Sequence, residues 1–148
     1  MEIAEAANAE IRPHAKDHRA GLLDNKILLC GKEGTPDNFK LNIGYARDEW
    51  LTPRHKHDFD QIRVPLEGEF EYLKDKSLKV GQVAYFPAGI HYGPQVRKKG
   101  LLMLLCQLGA ADGQGFISTA QREAVFDELK AKGTFKDGIY TYVDEKGQ

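Results

Sequence analysis

Cysteine is almost missing from this chain of 148 residues: only Cys30 and Cys106 occur, each inside a short apolar run and neither in redox spacing. A disulfide framework is therefore excluded, and the two thiols are expected to pack as small hydrophobes in a reducing cytoplasm. Long apolar runs are missing too. The longest, Leu101 to Cys106, is far too short to span a bilayer. The opening residues MEIAEAANAEIRPH are acidic and polar, which does not read as a signal peptide. Nor is there an excess of one charge: 21 basic residues face 22 acidic ones, for a net charge of −1. Without a basic patch, nucleic acid is not an expected partner. No nucleophile–base motif, phosphate-binding glycine loop, internal repeat or low-complexity segment is found. The expectation is a cytoplasmic protein without nucleic-acid or membrane partners.

What is present suffices for one globular domain, with 41% apolar and 29% charged residues. Residues 1–21 carry alanines and charges without strong periodicity and read as an arm, a short helix or disorder. His14 and His18 lie there, four apart, and read as solvated. Residues 22–148 read as a single barrel domain. Asn25 to Cys30 is a compact apolar run bounded by glycine and proline, and reads as a strand. Phe39 to Tyr45 alternates Phe39, Leu41, Ile43 and Tyr45 against Lys40, Asn42 and Gly44, a half-buried strand with one apolar face. Glu69 to Leu73, Val83 to Phe86 and Leu101 to Leu108 continue the series, punctuated by Gly68, Gly81, Pro87 and Gly89. Ser118 with Gln121 forms a capping box before Val125, Phe126 and Leu129, which predicts a helix over residues 118–132. Residues 135–143 read as one further strand or an extended tail. About seven short strands at hairpin spacing and one late helix predict an all-β barrel or sandwich with a covering helix.

The chemistry concentrates in Pro53 to Gly68, PRHKHDFDQIRVPLEG. On an extended strand side chains repeat every second residue, so His55 and His57 share one face. Two imidazoles on one wall are half of a metal site, since neutral histidine ligates Zn, Fe, Mn, Ni and Cu. Solvated histidines in a basic loop are the plain alternative. Gln61 follows four residues after His57, and strand parity then turns Arg63 and Pro65 to the same face as Gln61, with Ile62, Val64 and Leu66 on the other.

The two glycine-bounded segments resemble the cupin family. Its first motif is a His-x-His pair, a Glu four residues after the second His and a Gly seven residues later. His55, His57, position 61 and Gly68 fall in that register, with Gln61 in place of the Glu. The glycine six residues before the first His is replaced by Glu49. Of the second motif, Gly81, Pro87 and Gly89 match, but Tyr92 stands at the position of the third His and His91 comes one residue early. The resemblance covers roughly residues 39–108 and is to small single-domain bacterial cupins. It implies a jelly-roll barrel (a double-stranded β-helix), here with a C-terminal helix, that dimerises through its strands.

Two functional readings follow from that resemblance. In the first, a divalent metal (Fe, Mn, Ni or Zn) is held by His55, His57, Gln61 and His91, and serves oxygenation, isomerisation or decarboxylation of a small polar molecule. In the second, the barrel is a metal-free small-molecule binder whose Arg63 grips an anionic ligand through a bidentate pair. An inward His91 would favour the first and an inward Tyr92 the second. Tyr45, Tyr92 and Gln107 are further candidates to line the ligand site. Arg63 could instead pair with Asp58, Asp60 or Glu71. The outward row Ile62, Val64 and Leu66 needs cover, so a homodimer is the expected state.

Overall fold

The computed structural model describes residues 1–14, 22–32, 35, 37–52 and 54–109, together with the strand segments 116–118, 133–136 and 139–142. These are strands and turns, and no helix occurs among the described residues. None is therefore long and apolar enough to cross a membrane. The six-stranded sheet runs in the order β1 (Arg12–His14), β2 (Leu23–Cys30), β3 (Phe39–Ala46), β11 (Leu102–Leu108), β6 (Asp60–Glu67) and β9 (Ala84–Phe86). The four-stranded sheet is ordered β4 (Trp50–Thr52), β10 (Gln95–Arg97), β7 (Glu69–Leu73) and β8 (Lys76–Lys79). Every ladder is antiparallel. A short strand carrying both histidines, β5 (His55–His57), pairs with β12 (Phe116–Ser118).

The core lies between the two sheets. Leu23, Ala46, Leu101 and Met103 come from the larger sheet and its connection, Trp50, Phe70 and Leu78 from the smaller. The sheets join at Gly68, between β6 and β7, where φ is +77° and a Cβ would lie 3.2 Å from Leu101 Cα. Only glycine fits such a corner without strain. This end of the barrel, with Gly68, Leu101 and Ala46, is its floor: Ala46 N–H donates to Leu101 C=O at 3.0 Å. The histidines lie at the opposite end.

The alternation expected in β3 is present, but its sense is the reverse of a simple amphipathic strand. Asn42, Gly44 and Ala46 face the interior, while Leu41, Ile43 and Tyr45 face out. On this outer face the N-terminal segment is held by Lys26 Nζ, which donates to Ala6 C=O at 2.7 Å. Ala6, Ala7 and Ile11 line a groove there with Ile43, Tyr45 and Leu102. Part of the N-terminal arm is a strand: β1 extends the sheet by pairing Arg12 with Asn25.

Two further expectations change, and a third falls outside the described residues. Cys30 is exposed at the end of β2 and Cys106 is half-buried on the outer face, so neither is a core residue. Ser118, read as a helix cap, ends the strand β12, and residues 119–132 of the expected helix lie outside the described residues. In place of one tail strand there are two, β13 (Gly133–Lys136) and β14 (Ile139–Tyr142), paired as a hairpin.

Candidate functional site

The polar interior is built from two neighbouring walls. In β5, His55 and His57 are both buried while Lys56 between them is not, as the two-residue period of a strand requires. Their rings meet edge to face with centroids 4.9 Å apart. β5 is held to the next loop by reciprocal backbone hydrogen bonds of 3.0 Å between His55 and Tyr92, and by Gly89 N–H donating to His57 C=O at 2.7 Å. This bridge places the Tyr92 ring 4.7 Å from that of His55 and 4.8 Å from that of Phe86.

β6 supplies the second wall. Gln61 and Arg63 are 1% and 2% exposed, and Pro65 below them is buried as well. Residues two apart on a strand share a face, so Arg63 can turn back toward Gln61. Its Nε and Nη2 both donate to Gln61 Oε1, at 3.1 and 2.5 Å. The Tyr92 hydroxyl donates to the same oxygen at 3.1 Å and accepts from Arg63 Nη2 at 3.2 Å. Three rings surround the guanidinium carbon: Phe86 at 4.6 Å, Phe70 at 5.1 Å and Tyr92 at 5.2 Å from their centroids.

A guanidinium this deeply buried carries a desolvation penalty of several kcal/mol unless an anion offsets it. Burial lowers the Arg63 pKa, and the neighbouring Tyr92 hydroxyl raises it in part. Arginine nevertheless remains a cation. No carboxylate forms an ion pair with it among the described residues. Asp60, one of the acids that could have done so, accepts instead from Ala88 N–H at 2.8 Å. The Nη1 atom of Arg63 is buried without a hydrogen-bond partner among the described residues.

Each sequence-predicted site residue can now be placed. His55, His57, Gln61, Arg63 and Tyr92 come together in the interior. Gln107 pairs directly with Gln61 across the β11–β6 ladder and shares its face, half-buried toward the histidine end. His91 is exposed, because the strand-like bridge at Tyr92 turns the preceding side chain outward. Tyr45 is 42% exposed on the outer face, one residue off the inward register of Gly44 and Ala46, and does not line the interior. Sequence reasoning missed Phe86, Asn42 and Gln95. Asn42 and Gln95 are buried polar residues on β3 and β10, and Asn42 stands on the polar side of the β3 alternation, opposite its apolar face.

The described residues do not fit a divalent cation. Such an ion needs three or four donors, of which catalytic sites usually supply at least three from the protein. Among the described residues no group of three or more His, Cys, Asp or Glu side chains converges. An amide oxygen has two lone pairs, and that of Gln61 already serves three donor hydrogens from Arg63 and Tyr92. A fixed positive charge beside it repels a cation.

Taken together, the two sheets enclose an interior that holds the buried guanidinium of Arg63 among polar and aromatic side chains. Among solved structures the chain is similar to KdgF from Halomonas sp., with a TM-score of 0.56 at 19% identity over 76% of this chain and 97% of that one. It is similar to an acetylacetone dioxygenase from Acinetobacter johnsonii, with a TM-score of 0.62 at 12% identity over 86% and 92% of the two chains. A cupin-2 domain from Rhodospirillum rubrum gives a TM-score of 0.60 at 12% identity, over 88% and 87%. No protein-family model and no curated protein sequence matches the chain. The chain has the cupin fold.

Proposed function

We propose that this protein binds a small anionic molecule, a carboxylate, inside its barrel without a metal ion. The observation that carries this reading is Arg63: a buried guanidinium, without an acidic partner among the described residues, whose Nη1 has no hydrogen bond there. A ligand carboxylate would supply both the missing charge and the missing acceptor. Gln61 and Tyr92 fix the other edge of the guanidinium, so its orientation is set before the ligand arrives. That preorganisation reduces the ordering cost of binding. The buried imidazoles of His55 and His57 stand on the adjoining wall.

The test is titration of the full chain with acetate, propionate and butyrate, followed by ligand-observed NMR, beside Arg63→Met. Saturable binding that weakens about tenfold or more in the variant supports the reading, a loss of roughly 1.4 kcal/mol or more. Equal binding by both proteins, or none by either, overturns it.

A rival reading keeps a divalent ion (Fe, Mn, Ni or Zn) on the buried His55 and His57 pair, in a metal-dependent oxygenase, isomerase or decarboxylase. Plasma mass spectrometry of untagged protein decides it. Near-stoichiometric metal that disappears in His55→Ala/His57→Ala would favour this reading over ours. The outer apolar row of β6 is read as the contact of a homodimer.

A further inference from the structure

Besides Arg63 Nη1, the interior polar atoms buried without a hydrogen-bond partner among the described residues include Asn42 Oδ1 and Gln95 Nε2. They come from different sheets, Asn42 from the larger and Gln95 from the smaller. Across the larger sheet, Asn42 pairs with Leu105 and Leu105 pairs with Arg63, which makes one cross-strand row on the inner face. Adjacent strands are about 4.8 Å apart, so the backbones of Asn42 and Arg63 are roughly 10 Å apart, with Leu105 between them on the same face. Gln95 faces this row from the smaller sheet. From the smaller sheet the end of the Arg97 side chain reaches Gly44, whose Cβ would lie 3.4 Å from Arg97 Nη1. Asn42 is two residues from Gly44 and Gln95 two residues from Arg97, both in the direction of the histidine end. Each step of two residues returns a side chain to the same face.

The three atoms ask for different things. Arg63 Nη1 needs an anion or acceptor, Gln95 Nε2 an acceptor, and Asn42 Oδ1 a donor. The Asn42 amide is oriented by its own NH2, which donates to Asn25 Oδ1 at 2.7 Å and leaves the oxygen to the interior. One hydroxyl group both donates and accepts, so a single such group can serve Asn42 and Gln95 together. A simple alkyl chain can serve neither and would leave both amides unpaired.

We infer that this part of the interior reads a hydroxyl group, and that the anion held at Arg63 is a small hydroxycarboxylate. The inference rests on the carboxylate reading above and adds the second polar group. Discrimination comes from the cost of leaving Asn42 and Gln95 unsatisfied when the hydroxyl is missing, so affinity for the deoxy analogue falls more than its lost contacts alone would imply.

The experiment compares matched pairs on the full chain, lactate with propionate and 3-hydroxybutyrate with butyrate, by NMR titration of isotope-labelled protein. The hydroxylated member of at least one pair is expected to bind roughly tenfold tighter. It should also shift the side-chain amide resonances of Asn42 and Gln95, which the deoxy acid leaves in place. Asn42→Leu and Gln95→Leu should each close the affinity gap while retaining carboxylate binding; if a variant does not fold, the wild-type amide shifts decide. Equal affinities within both pairs would overturn the hydroxyl assignment and leave the carboxylate reading intact, with water as the natural partner of the two amides. A gap that persists in both folded variants would overturn it as well. Failure of every acid to bind would overturn both.

Discussion

Arg63 and Gln61 lie two residues apart on one strand, and the guanidinium grips the amide oxygen with two of its nitrogens, at 3.1 and 2.5 Å. The amide that could have served a cation is thereby turned over to a cation the protein already carries. The charge logic of the interior follows from this pair. A neutral amide orients the guanidinium without neutralising it, so the positive charge remains available to a ligand.

Gln61→Glu tests that logic. A carboxylate at this position would form a bidentate, charge-assisted pair with Arg63, about twice as strong as the neutral contact. Affinity for small carboxylates is expected to fall about tenfold or more, while the thermal midpoint holds or rises. Unchanged carboxylate affinity, measured by the same titration, would show that Arg63 is not the anion site.

Tyr92→Phe keeps the ring beside His55 and Phe86 and removes only the hydroxyl that joins Arg63 to Gln61. Hydrogen bonds involving a charged group contribute about 1.5–3 kcal/mol, so a loss of roughly that size is expected in urea unfolding. A change within a few tenths of a kcal/mol would mean that the hydroxyl does not hold the cluster together.

The outer face of β6 makes a different prediction. Ile62 and Val64 are half-buried and Leu66 is 40% exposed, an apolar row on the outer face of the larger sheet. Sedimentation velocity at tens of micromolar should show a dimer, and Leu66→Asp should shift it toward monomer by placing a charge in the contact. A wild-type monomer across the concentration range would remove the dimer reading.

Gly68→Ala concerns the corner between the sheets. With φ at +77° and Leu101 Cα 3.2 Å from the added Cβ, the substitution is expected to cost about 1–3 kcal/mol. A thermal midpoint within a degree of wild type would contradict that placement.

Thiol chemistry offers a pH-dependent check on the two cysteines. Burial pushes the Cys106 thiol up, so its reactive thiolate becomes populated only at a higher pH than a free thiol would need. In a disulfide-exchange assay near pH 8, the exposed Cys30 should react first, and the Cys106 rate should climb as pH rises further. Equal rates at pH 8 would contradict the burial of Cys106.

Period and punctuation determined a good deal in the sequence alone. The two-residue alternation through Gln61, Arg63 and Pro65 fixed which side chains share a wall, because strand geometry leaves no other arrangement. The glycine and proline spacing around the two histidine segments pointed to the barrel. Alternation cannot say which of two faces is the inside, and β3 shows the consequence: its polar face of Asn42 and Gly44 turns inward, while Ile43 and Tyr45 meet the N-terminal segment. That choice belongs to the tertiary structure, because it depends on what covers each side of the sheet. The same holds for His91 and Tyr92. Both are compatible with the motif, and the backbone bridge from His55 to Tyr92 decided between them. The burial of Asn42, Gln95 and Arg63 in one interior draws on residues far apart in the chain, and only the facing of two sheets could produce it.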